Sequence, residues 1–463
     1  MKLKAMSTCN SNNIYLIGIG GVGMAGIAEV LINLGYNVYG SDVCNSDLLN
    51  YLISIGVKVY IGHNSENINN IKNIDIVVIS SAIPKTNPEL ILAYNRKLHI
   101  ISRGEMLAQL ANCKSLITIA GTHGKTTVSA MISFIMQKCN LGPTFIVGGR
   151  LRQTKSGAKL GDGQYMIVEA DESDGSFLQL KPKATVVTNI DNDHLEHYDN
   201  NIYKLKSAFT THINGIPSNG IALLCSDNEN ILHILNNKQI NIQYLTYGLK
   251  GKPSISACNI KFHKNVYTSF DINYMGTIIG NCSIQLIGIH NVLNSLAVIG
   301  VCLWLKIPIK RILNTIKLFK GVARRLEIKG KKNGIIVIDD YGHHPTEIIA
   351  SINAIKSSWP NHRLVVLFQP HRYTRTKHLM SAFCHSFFNA NLIQILDIYS
   401  AGEPIMKTIT SDLLVSGLRK LGCNATKFIS VKHLLTLTKH NDIILTIGAG
   451  SIWKISNELI NEI

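Results

Sequence analysis

Negative charge is scarce in this chain of 463 residues: 29 Asp and Glu stand against 46 Lys and Arg, for a formal net charge of +17. Such an excess suits a nucleic acid, a membrane surface or small anions. The basic residues are scattered, with no run of about five or six like charges, so no nucleic-acid partner is expected and anionic small substrates are favoured. Asn, Ile and Lys are abundant throughout, as an AT-biased genome would produce, so mutational bias toward Lys is an alternative source of part of the excess. Long apolar runs are missing too. None reaches the roughly 18 residues of a membrane span, and polar Ser-Thr-Cys-Asn-Ser-Asn-Asn near the amino terminus stands where an export signal needs an apolar core. The expectation is a cytoplasmic protein with no membrane insertion, monomeric or weakly dimeric. Its ten cysteines form no Cys-x-x-Cys pair, which argues against a zinc site and a disulfide framework.

What is present is globular in kind. Hydrophobic residues are 46% and charged residues 16% of the chain, and the length is too great for one hydrophobic core. Apolar runs at Ile14–Ile19 and Asn37–Tyr39, separated by glycines and a helix-like stretch, read as a βαβ opening, with Ile74–Ile79 a further strand. The pattern restarts at Leu116–Ala120, followed by a glycine loop and a helix over Thr126–Gln137. Between 253 and 287 the sequence turns β-branched and alternating, which predicts an antiparallel appendage. Beyond Gly321, runs at Ile335–Ile338, Leu364–Phe368, Leu392–Leu396 and Ile443–Ile447 predict another mostly parallel α/β domain. Domains are placed at 1–112, 113–322 and 323–463.

The loop Gly121-Thr122-His123-Gly124-Lys125-Thr126-Thr127 lies between a buried strand and a helix start, where backbone N–H groups and the helix dipole cradle phosphate. Lys125 then neutralises the β- and γ-phosphates and Thr126 binds Mg²⁺. The first glycine stands three residues before Gly124 rather than the five of the strict pattern. A glycine turn with a stray lysine is the bland alternative, but strand, loop, Gly-Lys-Thr-Thr and helix coincide here. Two more strands end in Glu169-Ala170-Asp171-Glu172 and Asp191-Asn192-Asp193-His194. Parallel strands converge at their carboxyl ends, so these groups suit a metal-phosphate site, Glu169 better than the less usual His194. Solvated loop carboxylates are an equal alternative.

Gly18-Ile19-Gly20-Gly21-Val22-Gly23, with Asp42 after the next strand, has the spacing of a dinucleotide fingerprint. That leaves an NAD-dependent oxidoreductase open, although such a loop binds any diphosphate, including that of a UDP-sugar. Further on, Asp339-Asp340-Tyr341-Gly342-His343-His344-Pro345 and Gln369-Pro370-His371-Arg372-Tyr373-Thr374-Arg375 follow strands and suit a carboxylate and phosphate pocket. Two adjacent histidines at a helix entry need not both act.

Together, GIGGVGMAGIAEVL, SSAIPKTNPE, GTHGKTT, VEADESDGSF, TNIDNDHLEHY, GIHNVLNSLA, DDYGHHPTEI, FQPHRYTRT and AGEPI make the chain resemble the Mur ligase family over nearly its whole length. The resemblance implies an α/β fold of three domains: a Rossmann-like amino-terminal domain, a central P-loop-type ATPase domain with a mostly parallel sheet plus a small antiparallel one, and a Rossmann-like carboxyl-terminal domain. Within the family it points to the branch that joins L-alanine to the lactyl carboxylate of UDP-N-acetylmuramate, through an acyl phosphate, with ATP and Mg²⁺. Implied for the UDP-sugar are Gly20, Gly21, Val22, Gly23, Asp42, His63, Ser81, Ala82 and Arg103. Implied for ATP, beside the 121–127 loop, are Asn291, Asn294, Arg325 and Asp340, with Thr126, Glu169 and His194 on the metal. By the same resemblance Lys125, Glu169, His194 and Arg325 would carry catalysis, either Arg324 or Arg325 being the one that acts. Tyr341, His343, His371, Arg372 and Arg375 line the amino-acid and muramyl end. The rivals are a ligase of the same family that attaches a tripeptide, the oxidoreductase, and a non-catalytic UDP-sugar-binding protein.

Overall fold

A computed structural model describes residues 12–152, 156–193, 195–263 and 267–463. The chain divides into two compact units. One contains the residues up to Cys258 with Ile272–Gly280 and Leu293–Ile316; the other contains Asn259–Asp271, Asn281–Val292 and Lys317–Ile463.

The first sheet comprises β1 (Asn13–Ile17), β2 (Asn37–Asp42), β3 (Lys58–Ile61), β4 (Ile76–Ile79) and β5 (Ile100–Ser102), in the order β3-β2-β1-β4-β5. All its pairings are parallel. Ile14, Tyr15, Leu16 and Ile17 are all fully buried, the continuous apolar run that a strand covered on both faces requires. The strand order reverses between β1 and β4, and in open α/β sheets the ligand crevice lies outside the carboxyl ends at such a switch. The Gly18 loop occupies that position.

The second sheet has ten strands: β6 (Ser115–Ala120), β7 (Thr144–Ile146), β8 (Ala158–Lys159), β9 (Tyr165–Ala170), β10 (Ala184–Val187), β11 (Ile221–Cys225), β12 (Tyr244–Gly248), β13 (Ile255–His263), β14 (Tyr267–Tyr274) and β15 (Thr277–Ile284). Their order, β15-β14-β13-β12-β11-β10-β6-β9-β7-β8, puts β6 between β9 and β10 with parallel pairing on both sides. The phosphate-type loop after β6 is thereby flanked by the acidic segments after β9 and β10. The expected appendage is present as β13–β15; the two-residue connection Met275-Gly276 allows only antiparallel pairing of β14 with β15.

In the second unit, β16 (Glu327–Lys332), β17 (Ile335–Asp340), β18 (Arg363–Phe368), β19 (Leu392–Ile395), β20 (Ala425–Lys427) and β21 (Asp442–Ile447) take the order β16-β17-β21-β18-β19-β20. Only β16 runs antiparallel to its neighbour. Its Lys-rich sequence Glu-Ile-Lys-Gly-Lys-Lys carries no apolar signal, and charged side chains are how an exposed edge resists further pairing.

One buried histidine sets a pH dependence. His212, on the helix Ile202–Asn214, is 3% exposed; its ring nitrogens face Phe177 O at 3.1 Å and the hydroxyls of Thr118 at 3.1 Å and Thr185 at 3.4 Å. Burial lowers its pKa to about 4. The unfolded chain, titrating near the usual 6.5, therefore takes up the proton first as pH falls, so the contribution is complete above pH 6.5 and is lost toward pH 4. Between pH 7 and 5 the native protein is expected to lose about 2 kcal/mol more stability than a His212→Gln variant. Urea unfolding at the two pH values measures the difference, and equal slopes would contradict it.

Candidate active site

The loop after β6 is tied down from the side of β10. Asn189 O accepts the Thr122 N–H at 3.1 Å, Asn189 Oδ1 accepts the His123 N–H at 2.9 Å, and Thr188 donates its hydroxyl to His123 O at 2.6 Å. Thr122 Oγ1 accepts the Asp191 N–H. With Thr122 and His123 fastened, the donors left for a ligand are those at the N-terminus of the helix Lys125–Lys138, which no side chain caps. Gly124, its N-cap, has φ +86°, and a Cβ there would lie 2.9 Å from Asn294 Oδ1, so both the turn and the approach of Asn294 require glycine. Asn294 thus stands against the loop. Asn291, in the other unit, directs its side-chain amide to Ile287 O at 2.8 Å.

Lys125 donates to Gly121 O at 2.6 Å and to Glu172 Oε2 at 2.8 Å. Burial pulls its pKa down, but Glu172 and then Asp171 outweigh that and hold it above the usual value. The ammonium stays charged, as a phosphate clamp must. Glu172, fully buried beside it, was read from the sequence only as one of the acids after this strand; its pairing with Lys125 follows from β9 lying next to β6.

Glu169 is the last residue but one of β9. Its Oε2 accepts from Thr126 Oγ1 at 3.1 Å, and its Oε1 accepts from Ser129 Oγ at 3.1 Å and Gly148 N at 2.6 Å. A hydroxyl and a carboxylate side by side at a helix N-terminus are oxygen donors of the kind hard Mg²⁺ takes, so the residues fit that ion. His194, the other expected ligand, lies outside the described residues.

Every residue expected at the UDP-sugar lies beyond a strand carboxyl end of the first sheet. The glycine loop follows β1, Asp42 ends β2, His63 follows β3, Ser81 and Ala82 follow β4, and Arg103 follows β5. Asp42 is engaged with the backbone: its Oδ2 accepts the Gly20 N–H at 2.7 Å and its Oδ1 the Val43 N–H at 2.8 Å. It shapes the loop. The side chains of Ser81 and Ala82 are exposed. Arg103 lies 3.5 Å from Asp171 and 3.4 Å from Asp174, beside the residues that surround Lys125.

In the second unit, the two arginines separate. Arg324 adopts φ +59°, donates to Gly448 O at 2.7 Å and approaches Asp339 at 3.4 Å, a structural anchorage. Arg325 makes a longer ion pair with Glu347 at 3.6 Å, and the Tyr341 ring lies within 5.1 Å of both guanidinium groups. Asp340 accepts the N–H groups of Gly342 and Leu326, and burial raises its pKa to about 6 against the pull of Arg325. His344 is the N-cap of the helix Pro345–Ser358, so of the two histidines it is His343 that faces outward, 5.9 Å from the His371 ring. His371 stacks on Tyr399 at 5.6 Å, and Arg375 Nη1 is 3.4 Å from its Nδ1. Burial, then His343 and Arg375, lower the pKa of His371 to about 3. Arg372, by contrast, is exposed, with φ +69°. Sequence reasoning missed Glu347, which accepts the N–H groups of His343 and His344 at 2.8 and 3.2 Å.

Profiles for the Mur ligase family catalytic domain, the Mur ligase middle domain and the Mur ligase glutamate ligase domain match residues 13–115, 119–302 and 324–450. UDP-N-acetylmuramate--L-alanine ligase of Endomicrobium trichonymphae is 52% identical over 450 residues, 97% of this chain and 98% of that protein. The chain belongs to the Mur ligase family. The ligase of the same name from Geotalea uraniireducens is 44% identical, again over 97% and 98% of the two chains. Among solved structures, UDP-N-acetylmuramate-alanine ligase MurC from Thermotoga maritima superposes with a TM-score of 0.83 at 26% identity, over 97% of this chain and 98% of that one. A murein peptide ligase from Psychrobacter arcticus, 21% identical with a TM-score of 0.71 over 97% of this chain and 98% of that one, shares the fold. The three-domain α/β architecture of a Mur ligase, with mostly parallel sheets, is thus established.

Proposed function

We propose that the chain is an ATP-dependent ligase that joins L-alanine to the lactyl carboxylate of UDP-N-acetylmuramate, giving UDP-N-acetylmuramoyl-L-alanine, ADP and phosphate for peptidoglycan precursor synthesis in the cytoplasm. The 52% identity to a ligase of that name along 97% of the chain carries the reading. The charged Lys125 at an uncapped helix N-terminus supports it. Domain limits near 112 and 322 follow the same reading. No described helix is long and apolar enough to cross a membrane.

The carboxylate is a poor electrophile, and its approach to a triphosphate brings two anions together. Lys125 and the helix N–H groups would stabilise charge on the transferring phosphoryl group. Thr126 and Glu169, with His194, would hold Mg²⁺, which when bound supplies further neutralisation there. Phosphoryl transfer converts the carboxylate to an acyl phosphate; the free amine of alanine attacks the carbonyl, and phosphate leaves from the tetrahedral intermediate. Asn294 would sit at the nucleotide with Asn291. Arg325 and Asp340 are proposed for ATP, and Tyr341, His343, His371, Arg375 and Arg372 for the amino-acid and muramyl end. The Gly20–Gly23 loop, Asp42, His63, Ser81, Ala82 and Arg103 would hold the UDP-sugar.

Purified protein given ATP, Mg²⁺ and UDP-N-acetylmuramate is expected to release phosphate when L-alanine is added and to form a single new amide by mass spectrometry. No phosphate with any amine would end the ligase reading, and turnover with a tripeptide but not alanine would move the chain to the other branch.

A further inference from the structure

The carboxylate of Glu89 is fully buried at the start of the helix Pro88–Asn95, yet no lysine or arginine pairs with it among the described residues. It is surrounded by neutral donors from three strands. Tyr15 on β1 donates its hydroxyl at 2.9 Å, Ser41 on β2 donates at 2.5 Å, and the Asn67 amide and the Asn64 N–H, both beyond β3, lie at 2.7 and 3.3 Å. His63 Nδ1 lies 3.2 Å from the same carboxylate and 3.0 Å from Ser41 Oγ. Since the Ser41 proton is given to Glu89, the hydroxyl oxygen and the carboxylate are both acceptors toward Nδ1, and the ring must carry its proton there. Ser41 also accepts the Gly18 and Ile19 N–H groups on its carbonyl at 2.9 and 3.0 Å. Glu89 therefore lies directly under the glycine loop, at the switch point of the sheet.

We propose that Glu89 is a positioning residue for the UDP-sugar: it fixes the ring orientation and the Nδ1–H tautomer of His63, so that Nε2 is the nitrogen offered to the bound sugar nucleotide. This rests on the function proposed above. A purely structural carboxylate would not need a histidine at the rim of a crevice among its donors. Fixing a histidine through its far nitrogen is the means by which proteins choose which ring nitrogen acts.

The full-length protein with ¹⁵N-labelled histidine is expected to show His63 with its proton on Nδ1; the Nε2–H tautomer would overturn the proposal and requires no variant to fold. In kinetics, Glu89→Gln is expected to raise the KM for UDP-N-acetylmuramate by about tenfold. The KM for ATP and kcat at saturating sugar should move less than about twofold. In a His63→Ala background the same change should add no more than about twofold, because both remove one interaction. An unchanged sugar KM, an undiminished effect in that background, or a parallel loss in kcat and ATP KM each defeats it. Absence of UDP-sugar binding by the native protein would instead defeat the functional reading itself.

Discussion

Lys125→Ala is expected to lower turnover by about 10³-fold or more, with the affinity for UDP-N-acetylmuramate held within about twofold. The ammonium is a fixed full charge in the loop after β6, and the helix behind it presents N–H groups that supply only partial charge. The residues proposed for the sugar belong to another sheet. A complication arises from Glu172. Removing the lysine leaves a fully buried carboxylate without its partner at 2.8 Å, and breaking a buried pair from one side destabilises by about 3–5 kcal/mol. A drop in activity alone would thus mix chemistry with folding. The double variant Lys125→Ala with Glu172→Gln removes the stranded charge, so its melting temperature should return toward that of the native protein while turnover stays lost. If turnover returned with stability, the lysine would have no role in phosphoryl transfer. Isothermal titration with UDP-N-acetylmuramate checks the other half: a large loss of sugar affinity would place Lys125 in the wrong site.

The features legible in the sequence are those whose signal is local. The glycine loop at 121 sits between its own strand and its own helix within one short window, and Glu169 is found by following one apolar run to its end. The NAD alternative for the 18–23 loop was also local, and the similarity to UDP-N-acetylmuramate--L-alanine ligases along 97% of the chain speaks against it. The difference between Arg324 and Arg325 depends on residues distant in sequence, because Gly448 O and Asp339 hold the first of them. Glu89 was invisible for a like reason. It stands in a string already noted, yet its donors arrive from Tyr15, Ser41, His63 and Asn67, which only the parallel order of β1, β2 and β3 brings together. The edge strand β16 escaped notice because an edge is selected for charge, which removes the apolar pattern that reveals strands.

Glu169→Gln is expected to lower kcat by about 10²–10³-fold and to raise the Mg²⁺ concentration for half-maximal rate. Shape is nearly preserved, so the change isolates charge and hydrogen-bond direction. In the native arrangement all three neighbours of Glu169, the hydroxyls of Thr126 and Ser129 and the N–H of Gly148, are donors toward it. A carboxylate satisfies all of them and keeps lone pairs for a cation. An amide has one oxygen to share and must aim its own N–H groups somewhere. If its oxygen remains on Gly148 and Ser129, the amide nitrogen faces Thr126 and repels the ion from the hydroxyl that would ligate it. If it turns over, Gly148 loses its acceptor. Both rotamers would weaken the proposed metal site while leaving the backbone N–H groups of the loop at 121 in place, so nucleotide binding in the absence of Mg²⁺ should be unchanged. Magnesium titrations of initial rate, paired with fluorescence binding of ATP in EDTA, test this directly. A variant with native magnesium dependence would remove Glu169 from the metal site, and one that also failed to bind ATP without metal would show that the carboxylate supports the loop rather than the ion.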